Sequence, residues 1–150
     1  MPSDDQGLWD EIQAQREADK QSAAKLIWSE NPQATPEEAA KMIDVARRDA
    51  SKAKSPLANI LKAPRFAGFD PEYERYQEVQ EFGPGHPHYE AIRKLVDLAF
   101  EPKRKPTSNT NYYKTGFHPK WAPALTEVST EGKHTFGREM SQRELGYPKK

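Results

Sequence analysis

The 150-residue sequence contains no cysteine, which excludes disulfide staples and thiol chemistry and leaves the redox compartment open. It carries no net charge: 23 acidic side chains balance 23 basic ones. Without an overall positive field nothing draws the chain to a nucleic-acid backbone or an anionic membrane surface, so no nucleic-acid partner is expected. No apolar run approaches the roughly 20 residues that a bilayer-crossing helix needs. The chain opens on Ser3, Asp4 and Asp5 instead of a basic and then an apolar segment, so neither a membrane span nor a signal peptide is expected. Four scattered histidines lack metal-ligand spacing, and no Gly-rich phosphate loop, nucleophile elbow, internal repeat or heptad run is present. The expected metal and cofactor content is none.

What is there suits one domain with a modest core, because only 35% of residues are apolar while 31% are charged. The costly side chains concentrate between Thr110 and Arg138, where Tyr112, Tyr113, Phe117, Trp121 and Phe136 alternate with Asn111, His118 and His134. Gly116, Pro119, Pro123, Gly132 and Gly137 interrupt that stretch and forbid one continuous helix. The expectation is a folded, irregular loop region with little strand beyond His134 to Phe136. Aromatic rings with hydroxyl, amide and imidazole tips are suited to gripping a polar ring-shaped ligand such as a sugar. Closure of a small core by the same rings is the alternative.

Taken in order, residues 1–21 read as a polar helical arm, capped by Asp4 or Asp5, with Leu8, Trp9 and Ile12 as a short apolar stripe. From Ser22 the apolar pattern recovers through Ala23, Leu26, Ile27 and Trp28, and Glu30 ends the segment just before Asn31 and Pro32. A carboxylate beside an apolar stripe that includes Trp28 is partly desolvated, the environment that suits a general acid. An exposed helix-end glutamate is the plainer alternative. Thr35, Pro36 and Glu38 form a helix start in which Glu38 is expected to serve the cap. The helix then runs to about Lys52 with Ala39, Ile43, Ala46 and Ala50 on its packing face. Ser55 and Pro56 start a short helix through about Lys62. Pro64 to Phe69 form a loop, and Asp70 and Pro71 cap a helix bearing Tyr73, Tyr76 and Val79. Pro87 opens the clearest core helix, with Ile92, Leu95, Val96 and Ala99. His86 and His88 read as capping or surface residues, and Lys103, Arg104 and Lys105 as an exposed basic linker.

The order Thr110, Tyr112, Tyr113, Pro119, Trp121, Ala122, Gly132, His134, Phe136, Arg138 resembles the C-terminal signature of the spore cortex-lytic (SleB-like) cell-wall hydrolase family. In that signature a Gly-Ala-Thr-His-Tyr-Tyr run is followed by Pro-x-Trp-Ala and Gly-x-His-x-Phe-Tyr-Arg. Here Ser108 and Asn109 replace the Gly-Ala pair, Asn111 the first His and Gly137 the last Tyr. Trp28-Ser29-Glu30-Asn31 matches the Tyr-Gly-Glu-Ala-like motif that carries the family's catalytic glutamate. Arg47 and Arg48 stand at an Asn-Arg pair, and Arg65 and Phe66 at the Gln-Phe of a groove-lining segment. The resemblance covers about residues 22–138, with a flexible tail at 139–150. It implies a mostly α (α+β at most), lysozyme-like compact helical domain with an irregular C-terminal region.

It also implies an activity: cleavage of the β-1,4 bond between N-acetylmuramic acid and N-acetylglucosamine in peptidoglycan glycan strands, with Glu30 as the single catalytic acid. A conventional glycosidase needs a second carboxylate, and neither Asp44, Asp70, Glu127 nor Glu131 fills that place from the sequence. One acid suffices when the muramoyl 6-hydroxyl attacks its own anomeric carbon, the lytic transglycosylase route attributed to the family. Thr110, Asn111, Tyr112 and His134 are the candidates for holding the sugar. Phe66, Tyr113 and Trp121 are the candidates for shaping the groove, and Tyr113 and Trp121 serve equally well as core residues. The rival expectation is a non-catalytic wall-docking component of a phage particle. A phage virion or the bacterial envelope is the expected location, with arm and tail available to neighbouring virion proteins.

Overall fold

The computed structural model describes residues 4–62 and 66–146. Helices α1 (Asp4–Glu30), α2 (Pro36–Ala53), α3 (Leu57–Leu61), α4 (Tyr76–Glu81) and α5 (Tyr89–Ala99) precede strands β1 (Asn111–Lys114), β2 (Leu125–Glu131) and β3 (His134–Glu139). The fold is mostly α with some β. The arm and the first core segment are one uninterrupted helix, since nothing between Gln13 and Ser22 breaks it. The lapse of the apolar stripe there marks only where α1 leaves the core. Its outer part is exposed, with Leu8 at 58% and Trp9 at 57%. Further along, Arg93 grips Glu17 at 2.7 Å and Lys20 meets Asp97 at 3.2 Å, binding α1 to α5. No helix of the described residues is long and apolar enough to cross a membrane.

The core lies where α1, α2, α3 and α5 meet. Leu26, Ile27, Met42, Ile43, Leu57, Leu61, Ile92 and Val96 are buried there beside Phe66, Phe82 and Phe136. Each such side chain contributes about 1.5–3 kcal/mol on burial. The small face of α2 lets helices close in, with Ala39 and Ala46 fully covered. Thr35 caps α2 by accepting from the Glu38 amide at 3.2 Å. The helix anticipated from Asp70 begins only at Tyr76, because the Asp70 carboxylate accepts from the Glu72 amide at 2.9 Å and holds a turn instead.

The stretch after residue 110 is no irregular loop. It is a three-stranded antiparallel sheet in the order β1-β3-β2, with Tyr112 opposite Phe136 and Glu131 opposite His134. All but one of those glycines and prolines lie between the strands: Gly116 turns the chain after β1, Pro119 and Pro123 lie in the link to β2, and Gly132 makes the tight β2–β3 turn, while Gly137 lies within β3 opposite Asn111. Lys41 ties this sheet to α2 by donating to Ser129 at 2.9 Å and Glu131 at 3.0 Å. The segment read as a tail is partly fastened. The Met140 amide donates to Ala124 at 2.9 Å, and Glu144 pairs with Arg138 at 3.0 Å. Residues 147–150 lie outside the described residues, as do Pro64 and Arg65.

Candidate functional site

A cavity of about 420 Å³ opens where the end of α1 meets β1 and β3, and its walls are Glu30, Phe66, Asn111, Tyr112, Tyr113, Lys114, Phe117, Trp121 and His134. Its volume falls within the roughly 300–1,000 Å³ usual for small-ligand sites. The structure thus brings Glu30, which ends α1, together with residues more than 80 positions away. Phe66 is 1% exposed and forms the floor, while Trp121 at 43% and Phe117 at 63% stand at the open rim. Trp121 is therefore no core residue; it meets Tyr113 edge-on at 5.7 Å. Phe66 is brought in by Gly68, which lies so close to Ser29 that a Cβ would stand 1.8 Å from the serine oxygen.

Three sequence expectations need correction. Trp28 does not share the cavity with Glu30. Two residues apart on a helix point about 200° apart, and Trp28 stacks on Phe82 at 4.7 Å, beside His86 and His88. The apolar surroundings of Glu30 come from Phe66 and the strand aromatics instead. Thr110 is not among the lining residues. Its hydroxyl accepts from the Glu139 amide at 2.8 Å and so fastens the entry to β1.

The third correction concerns Glu38. Its backbone amide joins the cap, but its side chain turns inward and is fully buried. Three donors converge on the carboxylate: Asn31 Nδ2 at 2.7 Å, the Lys133 amide at 3.0 Å and His134 Nδ1 at 2.7 Å. Gly132 permits this, since with φ at +59° a Cβ there would meet Glu38 Oε1 at 2.1 Å. An ionised carboxylate only accepts, so Nδ1 of His134 carries a proton and Nε2 faces the cavity. There Nε2 lies 3.4 Å from Glu30 Oε2, with 20% of the Glu30 side chain exposed. That distance exceeds the ~3.2 Å of a well-made N–H···O bond, so the contact is loose and Glu30 stays available to a third group.

Burial is the largest single influence on His134 and pulls its pKa down. The hydrogen bonds and charges of Glu30 and Glu38 outweigh it together, and the net shift is upward. His134 is 4% exposed, so its ring is held out of bulk water between Glu38 and Glu30. Tyr112 sets the ring's orientation, meeting it edge-on at 5.3 Å.

Glu38 was missed because Thr35-x-x-Glu38 reads as a complete capping box, and only the tertiary fold shows the side chain turned away from it. Lys114 was also missed, with strand alternation after Tyr112 as the available signal; Phe117 was read among the aromatic rings of the stretch but not singled out for the site. Among the described lining residues Glu30 is the one carboxylate. Asp44 is ruled out as a second acid, being 4% exposed and saturated by Arg104 at 2.7 and 2.8 Å and by the Thr107 amide and hydroxyl. Arg104 is accordingly no exposed linker residue. Arg48 donates to the carbonyls of Thr107 and Asn109, which sets the approach to β1. Arg47 faces away from this cavity. Among the described residues no cluster of three or more His, Asp or Glu is arranged to hold a metal ion.

The fold and site together define a mostly α domain with an aromatic-walled cleft built around one carboxylate. Compared with protein-family models, with curated proteins and with solved structures, the chain finds no match.

Proposed function

We propose that this protein cleaves the MurNAc–GlcNAc β-1,4 bond of peptidoglycan as a lytic transglycosylase with Glu30 as its acid. The observation that carries the reading is the position of Glu30 in an aromatic-walled cavity, 3.4 Å from a histidine backed by a buried carboxylate. Protonated Glu30 delivers its proton to the glycosidic oxygen as the C1–O4 bond breaks. The muramoyl 6-hydroxyl bonds to C1, and its proton passes to the Glu30 carboxylate, which closes a 1,6-anhydro ring and consumes no water. His134 Nε2 lies 3.4 Å from Glu30 and orients it. A hydrolytic route needs another carboxylate about 5–10 Å away; Glu38 lies behind His134, fully buried, beyond the reach of a sugar. Tyr113, Phe117 and Trp121 offer ring faces on which pyranose rings stack. The resemblance to the SleB-like family supports the same reading. A lysozyme-like arrangement of the helices and a place in a phage virion or the bacterial envelope belong to this proposal.

The exposed Leu8, Trp9 and Ile12 at the outer end of α1 favour a second reading, a wall-docking virion component held by a neighbouring protein. Mass spectrometry of peptidoglycan incubated with the folded protein separates the two. Anhydro-muropeptides that disappear with Glu30→Gln are expected; release of no fragment by the wild type overturns the enzymatic reading.

A further inference from the structure

A second cavity, of about 480 Å³, lies between α1, α2 and the segment after α5, and its walls carry Arg16, Arg47, Arg48 and Arg104. Arg16 and Glu30 lie on the same helix fourteen residues apart, about 21 Å along its axis, so this cavity is separate from the acid's. The carboxylates in its walls are Asp44 and Glu101, which leaves a formal excess of two positive charges in a chain that is neutral overall.

The excess can be assigned. Arg104 is neutralised by Asp44, both of whose oxygens it holds. Arg48 directs both terminal nitrogens to the Thr107 and Asn109 carbonyls. Arg16 commits one nitrogen to the Phe100 carbonyl at 2.5 Å and keeps the rest of its fork. Arg47 lies over the Phe100 ring with its Cζ 4.1 Å from the centroid, and among the described residues no carboxylate comes within 4.0 Å of it. Burial chiefly pushes Arg47 below its ordinary pKa; Asp44 and Asp19 oppose this, while Arg16 and Arg104 add to it. Two guanidiniums with open donor edges therefore face one cavity and repel each other.

We propose that this cavity binds a phosphate group, with Arg16 and Arg47 as its two donors. A phosphate monoester carries about −1.5 to −2 charge at neutral pH and three acceptor oxygens, which matches two guanidiniums; a carboxylate matches one. The cavity is larger than phosphate alone, and Phe100, Pro102 and Pro106 supply an apolar wall for an organic body attached to it. The site is independent of the Glu30 chemistry.

Calorimetric titration at low salt with inorganic phosphate, phenyl phosphate and benzoate tests this. Saturable binding of phenyl phosphate is expected, at least about tenfold tighter than benzoate. Inorganic phosphate binding as tightly as phenyl phosphate assigns the site to the free ion; weaker binding assigns it to an ester. Arg47→Ala and Arg16→Ala should each weaken phenyl phosphate about tenfold or more, with Arg47→Lys recovering part of the loss. Glu30→Gln should leave it unchanged. Absence of saturable binding, equal affinity for benzoate, or binding unaltered in folded Arg47→Ala and Arg16→Ala proteins overturns the assignment.

Discussion

Replacing Glu38 by glutamine changes neither the size nor the shape of the side chain, yet it should loosen the hold on His134 behind Glu30. The carboxylate accepts from Asn31 and Lys133 as well as from His134. An amide has one accepting end. If its oxygen takes the place of Oε2, its nitrogen confronts the Asn31 amide; if the amide is turned over, its nitrogen confronts both the Lys133 N–H and His134 Nδ1. The first orientation is the better one and leaves one buried donor without its acceptor, at a cost of about 1–3 kcal/mol. The remaining bond to His134 changes from charge-assisted to neutral, which roughly halves its strength. A total of about 2–4 kcal/mol follows, or a fall in Tm of about 5–15 °C for a domain of this size. Urea unfolding at mildly acidic pH measures the first effect. Proton NMR titration of His134 measures the second, a pKa lowered once the neighbouring charge has gone. A variant within about 0.5 kcal/mol of the wild type whose His134 titrates unchanged would refute the claim that Glu38 holds the histidine's proton.

Gly132→Ala should cost about 1–3 kcal/mol, because a methyl 2.1 Å from Glu38 Oε1 and a positive φ penalise the same turn. The loss should appear in thermal unfolding together with reduced activity, and a stable, active variant would contradict the close approach. The raised His134 pKa gives stability that is complete below the unfolded value near 6.5 and is lost as pH rises through the folded one. Stability should therefore decline as pH rises above about 6.5, by up to about 1.4 kcal/mol per pH unit, and His134→Gln should flatten that slope. An identical slope in the variant would remove His134 as its source.

The helical half of the molecule was legible because its signals are local. Thr35 and Pro36 announce α2, the small residues of α2 announce close packing, and Ile92, Val96 and Ala99 announce α5. The sheet was not, because its strands are short and the glycines and prolines between them dominate the local pattern. Strand preference depends on what lies across the ladder, and Tyr112 finds Phe136 only after the chain has doubled back. Glu30 and its aromatic neighbours were legible as residue types, though the reason offered for the acid's surroundings was Trp28, which faces another way. The Glu38 side chain was hidden by a capping pattern that its backbone does satisfy. Arg47 and Arg104 could not be told from surface charges until the loop after α5 folded back over α2.

The continuity of α1 joins two features that sequence alone had set apart. From Asp4 to Glu30 the chain is a single rod of about 40 Å, bare and greasy at one end and carrying the acid at the other. A hinge would let a captured tip swing freely, but a rod does not. On the proposed reading, a partner that holds Trp9 also sets the angle at which the cleft meets a glycan strand, as a fixed handle sets the angle of its blade.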